Sequence, residues 1–207
     1  MNKMNEPWPT KKLGEVCEIV GGGTPSTNVC EYWDGDIVWV TPKDMGKLTG
    51  YDISDSTKKI TKAGLKNSSA KLLPKGAVVL SSRAPIGYVA IAKVPLATNQ
   101  GCRSFICDES KIYNRYLLHF LLIQKGFTNF SKRAAQAGFA KEELGSFEIS
   151  LPPLSEQKKI VAYLDELSQK SQELQKLQQQ TAADFSALRQ SILAQIFRQN
   201  PSQFSVL

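Results

Sequence analysis

From Ser155 to Asn200 the chain runs for 46 residues without a proline or a glycine. Leu, Gln, Lys, Glu, Ala and Arg dominate the stretch, and these residues lose least on entering a helix. It predicts one helix of roughly 65–70 Å at 1.5 Å per residue. Pro152-Pro153-Leu154 precedes it. Ser155 stands where a cap for the first turn is expected, Glu156 complements the helix dipole, and Pro201 marks the far end. Steps of four and three residues pick out Ile160, Leu164, Leu167, Leu174, Phe185, Leu188 and Ile192, with Ser171, Gln178, Thr181 and Gln195 at the remaining positions. So narrow an apolar seam is the pattern of a coiled coil. A helix about twice the width of a small domain cannot bury that seam on its own core, so a partner helix is expected. The polar seam residues lie near the middle, so an antiparallel pair would set each copy against its own equivalent. A long terminal helix packed on its own domain is the alternative.

Setting that helix aside leaves about 150 residues, enough for one sizeable core. The expected organisation is a globular domain over 1–153, the long helix over 154–200 and a tail over 201–207. No apolar run approaches the ~18 residues of a membrane span. The opening residues MNKMNEPWPT resemble neither a signal peptide nor a transit peptide. Cys17, Cys30, Cys102 and Cys107 form no CxxC pair, which argues against a zinc site or a disulfide framework and fits buried thiols in a reducing cytoplasm.

Charge is unevenly spread. The net charge is +7, yet residues 56–141 hold fifteen of the 26 Lys and Arg against only Asp108 and Glu109, while the segments on either side are net acidic. A block this one-sided is the electrostatic footprint of a polyanion partner, nucleic acid first among them. A solvated lysine-rich surface is the plainer reading.

Taken in order, residues 8–20 predict a short helix or turn, with Thr10 as a cap. Gly21-Gly22-Gly23-Thr24-Pro25-Ser26 lacks the Lys-Ser/Thr pair of a P-loop, and with no strand before it the dinucleotide fingerprint fails too. It reads as a surface turn, either a plain loop or one whose N–H groups meet a DNA phosphate. Asp34-Gly35 predicts a turn and Ile37-Val38-Trp39-Val40-Thr41 a buried strand that Pro42 stops. Asp34, Asp36 and Asp44 do not match a metal nuclease arrangement. Lysines crowd residues 58–75. Val78 to Arg83 and Tyr88 to Ala92 predict a hairpin, and Arg103 to Cys107 a third strand. Asn99 and Gln100 beside Gly101 suit loop-holding, although Asn, Gln and Arg can also read base edges. Lys111 to Gln124 predicts a buried helix with Tyr113, Tyr116, Leu117, Phe120, Leu121 and Gln124 on one face, ended by Gly126. His119, the only histidine, lies off that face without a second ligand or an acid. Phe127 and Phe130 interleave with Lys132 and Arg133, which suits either stacking on nucleic acid or a place in the core.

The ordered set of motifs is more telling than any one of them. Leu13-Gly14-Glu15, Gly22-Gly23-Thr24-Pro25-Ser26, Trp39-Val40-Thr41-Pro42-Lys43-Asp44, Ser81-Ser82-Arg83-Ala84-Pro85-Ile86-Gly87, Ala97-Thr98-Asn99-Gln100-Gly101 and Leu151-Pro152-Pro153-Leu154-Ser155-Glu156-Gln157 follow one another into the long helix. In this order they resemble the DNA-specificity subunit of type I restriction–modification systems, from about Trp8 onwards. The resemblance implies an α+β fold: one mixed α/β target recognition domain with small irregular sheets, followed by a long C-terminal coiled-coil helix. Members of that family usually carry two such domains and two helices paired antiparallel. This chain has one of each and looks like a half-subunit. Two copies about a twofold axis would read one half-site twice, giving a gapped inverted-repeat target. The alternatives are a truncated product, inactive or paired with a different half, and a non-catalytic coiled-coil adaptor; a stand-alone DNA methyltransferase or nuclease is less favoured, since no motif supports it.

The resemblance further implies that the chain is no enzyme and binds no metal or cofactor of its own. S-adenosylmethionine would belong to a methyltransferase subunit, and ATP and Mg to a restriction subunit. The expected partners are double-stranded DNA, those two subunits and a second copy of this chain, with no membrane. Motifs shared across many target sequences cannot encode those targets, so bases are expected to be read from the loops between them. Phosphate contact is expected at Thr24, Lys58, Lys62, Arg83 and Lys132, and base contact at Lys43, Asp44, Asn99 and Arg133. Ile160, Leu164, Leu167, Leu174, Phe185, Leu188 and Ile192 are the expected dimerisation residues.

Overall fold

The computed structural model describes residues 7–83, 85–124 and 140–199. Contacts divide the chain into two units, Met1–Val161 and Ala162–Leu207.

The first unit is built on a five-stranded sheet in the order β2-β9-β6-β7-β4: β2 (Cys17–Gly21), β4 (Asp52–Ile53), β6 (Val78–Ser81), β7 (Val89–Ala92) and β9 (Cys102–Cys107). Strands β6 and β7 are buried at every position because both faces of the sheet are covered. Val78, Leu80, Val89, Ile91 and Phe105 face one core, which also takes in Leu117, Leu118 and Leu121 of helix α4 (Asn114–Ile123). Val79, Ala90, Ala92 and Cys102 face the opposite way, onto Val38, Val40, Met45, Ile53 and Leu96. Alternation along two strands thus assigns alternate residues to two different cores.

The second core is shared with a three-stranded sheet, β5-β3-β8. Strand β3 (Trp33–Val40) pairs antiparallel with β5 (Lys58–Ile60) and parallel with β8 (Leu96–Thr98). The register of β3 on β5 shifts between Trp33 and Ile37. Asp34 takes a positive φ of 58° there, and a Cβ on Gly35 would come within 2.5 Å of the Ile60 carbonyl oxygen. Asp34-Gly35 is therefore a kink inside one long strand and not the turn that the dipeptide suggests. A third pairing, β1 (Thr10–Lys12) with β10 (Glu148–Ser150), ties the start of the described domain to the residues just before the long helix. Short helices α1 (Leu13–Val16), α2 (Pro42–Met45), α3 (Lys62–Lys66) and α5 (Lys141–Gly145) fill the connections.

The hairpin of β6 and β7 and the third strand β9 form as expected. Several local expectations do not. Residues 8–20 contribute two strands as well as a single helical turn, and Lys12, not Thr10, precedes that turn. A strand does precede the three glycines. Helix α4 stops at Ile123, with Tyr113 and Gln124 as flanking residues, so its buried face is Leu117, Leu118 and Leu121. Gly126, Phe127, Phe130, Lys132, Arg133 and Pro201 lie outside the described residues.

Helix α6 (Leu154–Gln199) is unbroken over 46 residues. It begins one residue before Ser155. The N–H groups of Glu156 and Gln157 donate to the carbonyl of Pro153, which places Ser155 within the first turn instead of capping it. From Ala162 the described side chains are exposed apart from Leu164 and Asp165, which are half-buried. Leu174 and Phe185 are about two-thirds exposed, and Leu167, Leu188 and Ile192 about half. Lys159–Glu156 and Lys170–Glu166 ion pairs sit on this helix, and exposed pairs of that kind contribute at most a few tenths of a kcal/mol each, roughly.

Candidate nucleic-acid interface

Parallel pairing of β3 and β8 puts two chain turns at one edge of the domain. Val40 is opposite Thr98, so Thr41-Pro42-Lys43-Asp44 and Asn99-Gln100-Gly101 leave their strands side by side. The Asn99 N–H donates to the Val40 carbonyl at 3.0 Å. A Cβ on Gly101 would lie 3.3 Å from the ring of Pro42. Ser82 and Arg83 join the same turn, both backbone N–H groups donating to the Gly101 carbonyl at 2.8 and 3.1 Å. The glycine segment closes the set: the Gly23 N–H donates to the Thr98 carbonyl at 2.8 Å, and the Thr24 hydroxyl bonds the Gln100 side chain. Four sequence motifs up to 76 residues apart thus meet around residues 98–101.

This packing explains the glycines. A Cβ on Gly22 would come 1.9 Å from the Asn99 carbonyl oxygen, and one on Gly23 2.2 Å from the Ala70 nitrogen. The Gly22 N–H is also taken, by the Cys102 carbonyl. These glycines are required for backbone-on-backbone contact, and the N–H groups of Gly22 and Gly23 are spent inside the protein. They are not the phosphate cradle that their sequence suggests.

Asp44 holds the β3 end of the cluster. It is 7% exposed. One carboxylate oxygen accepts the backbone N–H and hydroxyl of Thr41, at 3.0 and 2.6 Å, and the other accepts the backbone N–H and hydroxyl of Thr57, at 3.0 and 2.5 Å. The Thr41 hydroxyl oxygen in turn accepts the Asp44 N–H, completing a capping box with Pro42 at the first helical position. Burial works against ionisation, but the bonds from Thr41 and Thr57 outweigh it and hold the carboxyl below its ordinary range. A base could engage Asp44 only by displacing one of these donors. Its place is structural, against the expectation of base contact.

The remaining expected contact residues divide by position. Lys43 is exposed, and with Lys58, Trp39, Thr41, Asp44 and Thr57 it lines a cleft of about 280 Å³. Lys58 stands opposite Trp39 in the ladder, with its ammonium 5.3 Å from the centroid of Trp33. Thr24, Asn99 and Arg83 are half-buried at the hub, and the Asn99 side-chain oxygen is held by the Gly101 N–H at 3.0 Å. Lys62 is exposed on α3, which packs on the 3-10 turn Cys30–Tyr32. Lys132 and Arg133 lie outside the described residues. Arg103, not among the expected contacts, is the second residue of β9, beside this hub. Its guanidinium reaches the carbonyls of Cys102 and Gln100, at 3.2 and 3.5 Å.

Among the described residues no group of three or more His, Cys, Asp or Glu side chains could hold a metal ion, and no helix is long and apolar enough to cross a membrane. His119 stands edge-on to Tyr51, with ring centroids 6.5 Å apart.

Residues 5–182 match the family model described as the type I restriction modification DNA specificity domain. The chain is 40% identical over 174 residues to the type I restriction enzyme MjaIX specificity subunit of Methanocaldococcus jannaschii, covering 81% of this chain and 40% of that protein. It is 34% identical over 165 residues to the EcoR124I/EcoR124II specificity subunit of Escherichia coli, covering 75% of this chain and 39% of that one. In structure it resembles the HsdS subunit of Thermoanaerobacter tengcongensis, with a TM-score of 0.67 and 27% identity over 96% of this chain and 47% of the other. The chain spans two-fifths to one-half of the length of these relatives.

Proposed function

Because this chain belongs to the family of type I restriction modification DNA specificity domains, we propose that it reads duplex DNA on behalf of a methyltransferase subunit and a restriction subunit, without chemistry of its own. In this reading S-adenosylmethionine, ATP and Mg remain with those partners, and the complex works in the cytoplasm. The observation that carries the reading is the meeting of Thr24, Lys43, Arg83 and Asn99 at one edge of the domain. Basic side chains gathered on one edge, flanked by exposed polar loops, suit a phosphate backbone at the rim and base edges between. Thr24, Lys58, Lys62 and Arg83 are the proposed phosphate contacts, and Lys43 and Asn99 the proposed base contacts.

The domain over 1–153 is the proposed reader and the helix over 154–200 the proposed spacer. Leu167, Leu174, Phe185, Leu188 and Ile192 are exposed along one seam. Covering them with the same seam of a second copy, run antiparallel, removes that apolar surface from water. A twofold pair would present two identical readers a fixed distance apart, hence a bipartite, inverted-repeat target.

Equilibrium binding to duplex DNA across a salt series, with sedimentation of the same samples, tests both halves. Affinity should fall linearly on a log–log plot against salt, and the free protein should sediment as a dimer. Salt-independent affinity would remove the DNA reading, and a monomer at micromolar concentration would remove the twofold one.

A further inference from the structure

We infer that Cys17 and Cys107 form a latent redox staple: a low-molecular-weight disulfide converts the two thiols into one cross-strand disulfide that pins β2 to β9. The inference stands apart from the DNA-reading function proposed above.

Strand register brings the two sulfurs together. Cys17 is opposite Cys107 in the antiparallel ladder of β2 and β9, 90 residues away in sequence, and the Sγ atoms are 3.8 Å apart. The Asp108 N–H donates to the Val16 carbonyl at one end of this ladder, and the Gly22 N–H donates to the Cys102 carbonyl at the other. Both bonds join directly opposed residues, so the hydrogen-bonded pairs fall at the even positions of β2 and Cys17–Cys107 is a non-hydrogen-bonded pair. Cα atoms in such a pair lie about 4.5 Å apart, within the range that a disulfide spans. Both side chains belong to the same core, so rotation about their Cα–Cβ bonds is enough to bring the sulfurs to bonding distance.

A groove of about 680 Å³ leads to the pair, with both cysteines in its lining. Cys107 is half-buried while Cys17 is only 6% exposed, so Cys107 reacts first. Its thiolate attacks one sulfur of the small disulfide. A new S–S bond forms, the old one breaks, and one small thiolate leaves and takes up the proton that Cys107 gave. The Cys17 sulfur then loses its proton, attacks the Cys107 sulfur and expels the second small thiol. Two protein thiols are oxidised by two electrons, and one small disulfide is reduced to two thiols. The bond from Cys17 and burial push the Cys107 thiol up. Thiolate is therefore scarce, and closure answers sustained oxidising exposure, not a brief pulse.

The bond would hold a strand that has one neighbour in its sheet. Strand β2 is an edge strand, paired only with β9. Past Gly21 it runs into Gly22 and Gly23, whose backbone packs on the 98–101 hub. Detachment of β2 thus frees the glycine segment too. A covalent link at Cys17 opposes that detachment, and by closing a 90-residue loop it removes chain entropy from the unfolded state.

The test uses the full chain carrying Cys30→Ser, which removes an exposed thiol, incubated folded with glutathione disulfide and compared with its reduced form. Thiols titrated after unfolding should fall from three to one, and peptide mapping should find Cys17 joined to Cys107. The melting temperature should rise by roughly 10 °C and return on addition of dithiothreitol. Amide exchange at Gly22 and Gly23 should slow. Adding Cys17→Ser or Cys107→Ser should abolish the rise. A thiol count that stays at three overturns the staple, as does glutathione left on Cys107 without closure. A Cys17–Cys107 disulfide that lowers the melting temperature overturns it too, because strain would then outweigh the closed loop. None of these readouts involves DNA, so failure of the DNA-reading function leaves the staple standing, and failure of the staple leaves that function untouched.

Discussion

The side-chain oxygen of Gln157 accepts the backbone N–H of Tyr113 at 2.8 Å. Its amide nitrogen donates to the carbonyls of Lys111 and Pro152, at 2.9 and 2.8 Å. One fully buried side chain thus joins the first turn of α6 to the approach to α4. All three groups it serves are backbone groups, the Pro152 carbonyl in a buried bond and the other two in part-buried ones. Substituting Gln157→Ala should lower stability by roughly 2–4 kcal/mol, since several backbone groups lose their partner at once. Denaturant unfolding monitored by tryptophan fluorescence measures it. A loss below roughly half a kcal/mol, the size expected of an ordinary surface change, would show that the Gln157 bonds hold nothing.

Asp44 makes stability depend on pH at the acid end. In the folded state the bonds from Thr41 and Thr57 hold its carboxyl below the ordinary carboxylate range, against the effect of burial. The stability it contributes is therefore fully present above the unfolded value and is lost as pH falls through the lower, folded one. Asp44→Asn should destabilise the domain at neutral pH and flatten its stability below about pH 4 relative to the native protein. Parallel pH profiles for the two proteins would contradict this. DNA sequence preference should be the same for both, because Asp44 is committed inside the fold.

Gly22→Ala places a methyl group where the Asn99 carbonyl oxygen lies 1.9 Å away. Neither backbone can yield without breaking the 98–101 hub. The expected cost is about 3 kcal/mol or more, at the upper end for overpacking, with loss of DNA affinity following loss of fold. Thermal melting decides it, and a melting temperature within a degree of the native value would contradict the close packing.

Lys43→Ala removes an exposed ammonium at the cleft beside Trp39 and Thr57. As a base contact it should relax discrimination at one target position by roughly 1–3 kcal/mol. Binding competition among single-base variants of the target measures this. Equal weakening on every sequence would make Lys43 a phosphate contact instead.

Leu174→Glu and Phe185→Glu place charges on the exposed seam of α6. Each should convert the proposed dimer into a monomer in sedimentation while leaving the far-ultraviolet helical signal of the domain intact. Persistence of the dimer in both variants would locate the contact elsewhere.

Much of the fold was open to reading where pattern and structure share a cause. The long helix follows from forty-six residues without a breaker, and β6, β7 and β9 from apolar runs between turns. What escaped were features set by distant partners. Gly22 and Gly23 read as a loop because nothing local reveals the Asn99 and Ala70 backbone against which they pack. Asp34-Gly35 has the composition of a turn, and only Ile60 across the ladder makes it a kink. Strand β8 is three residues long and its parallel partner is far away in sequence, yet it brings the motifs together. Asp44 offered a signal that was available: a Thr three residues ahead of an acid, with proline between, is a capping pattern, and it outweighs base reading.

The central claim is that this chain selects the sequence a partner methyltransferase modifies, and does so as a twofold pair. Genome-wide mapping of methylated adenines, in cells carrying the methyltransferase with and without this chain, tests it most directly. The account predicts a gapped inverted-repeat motif that is methylated only when the chain is present. A methylation pattern unchanged by its removal would contradict it.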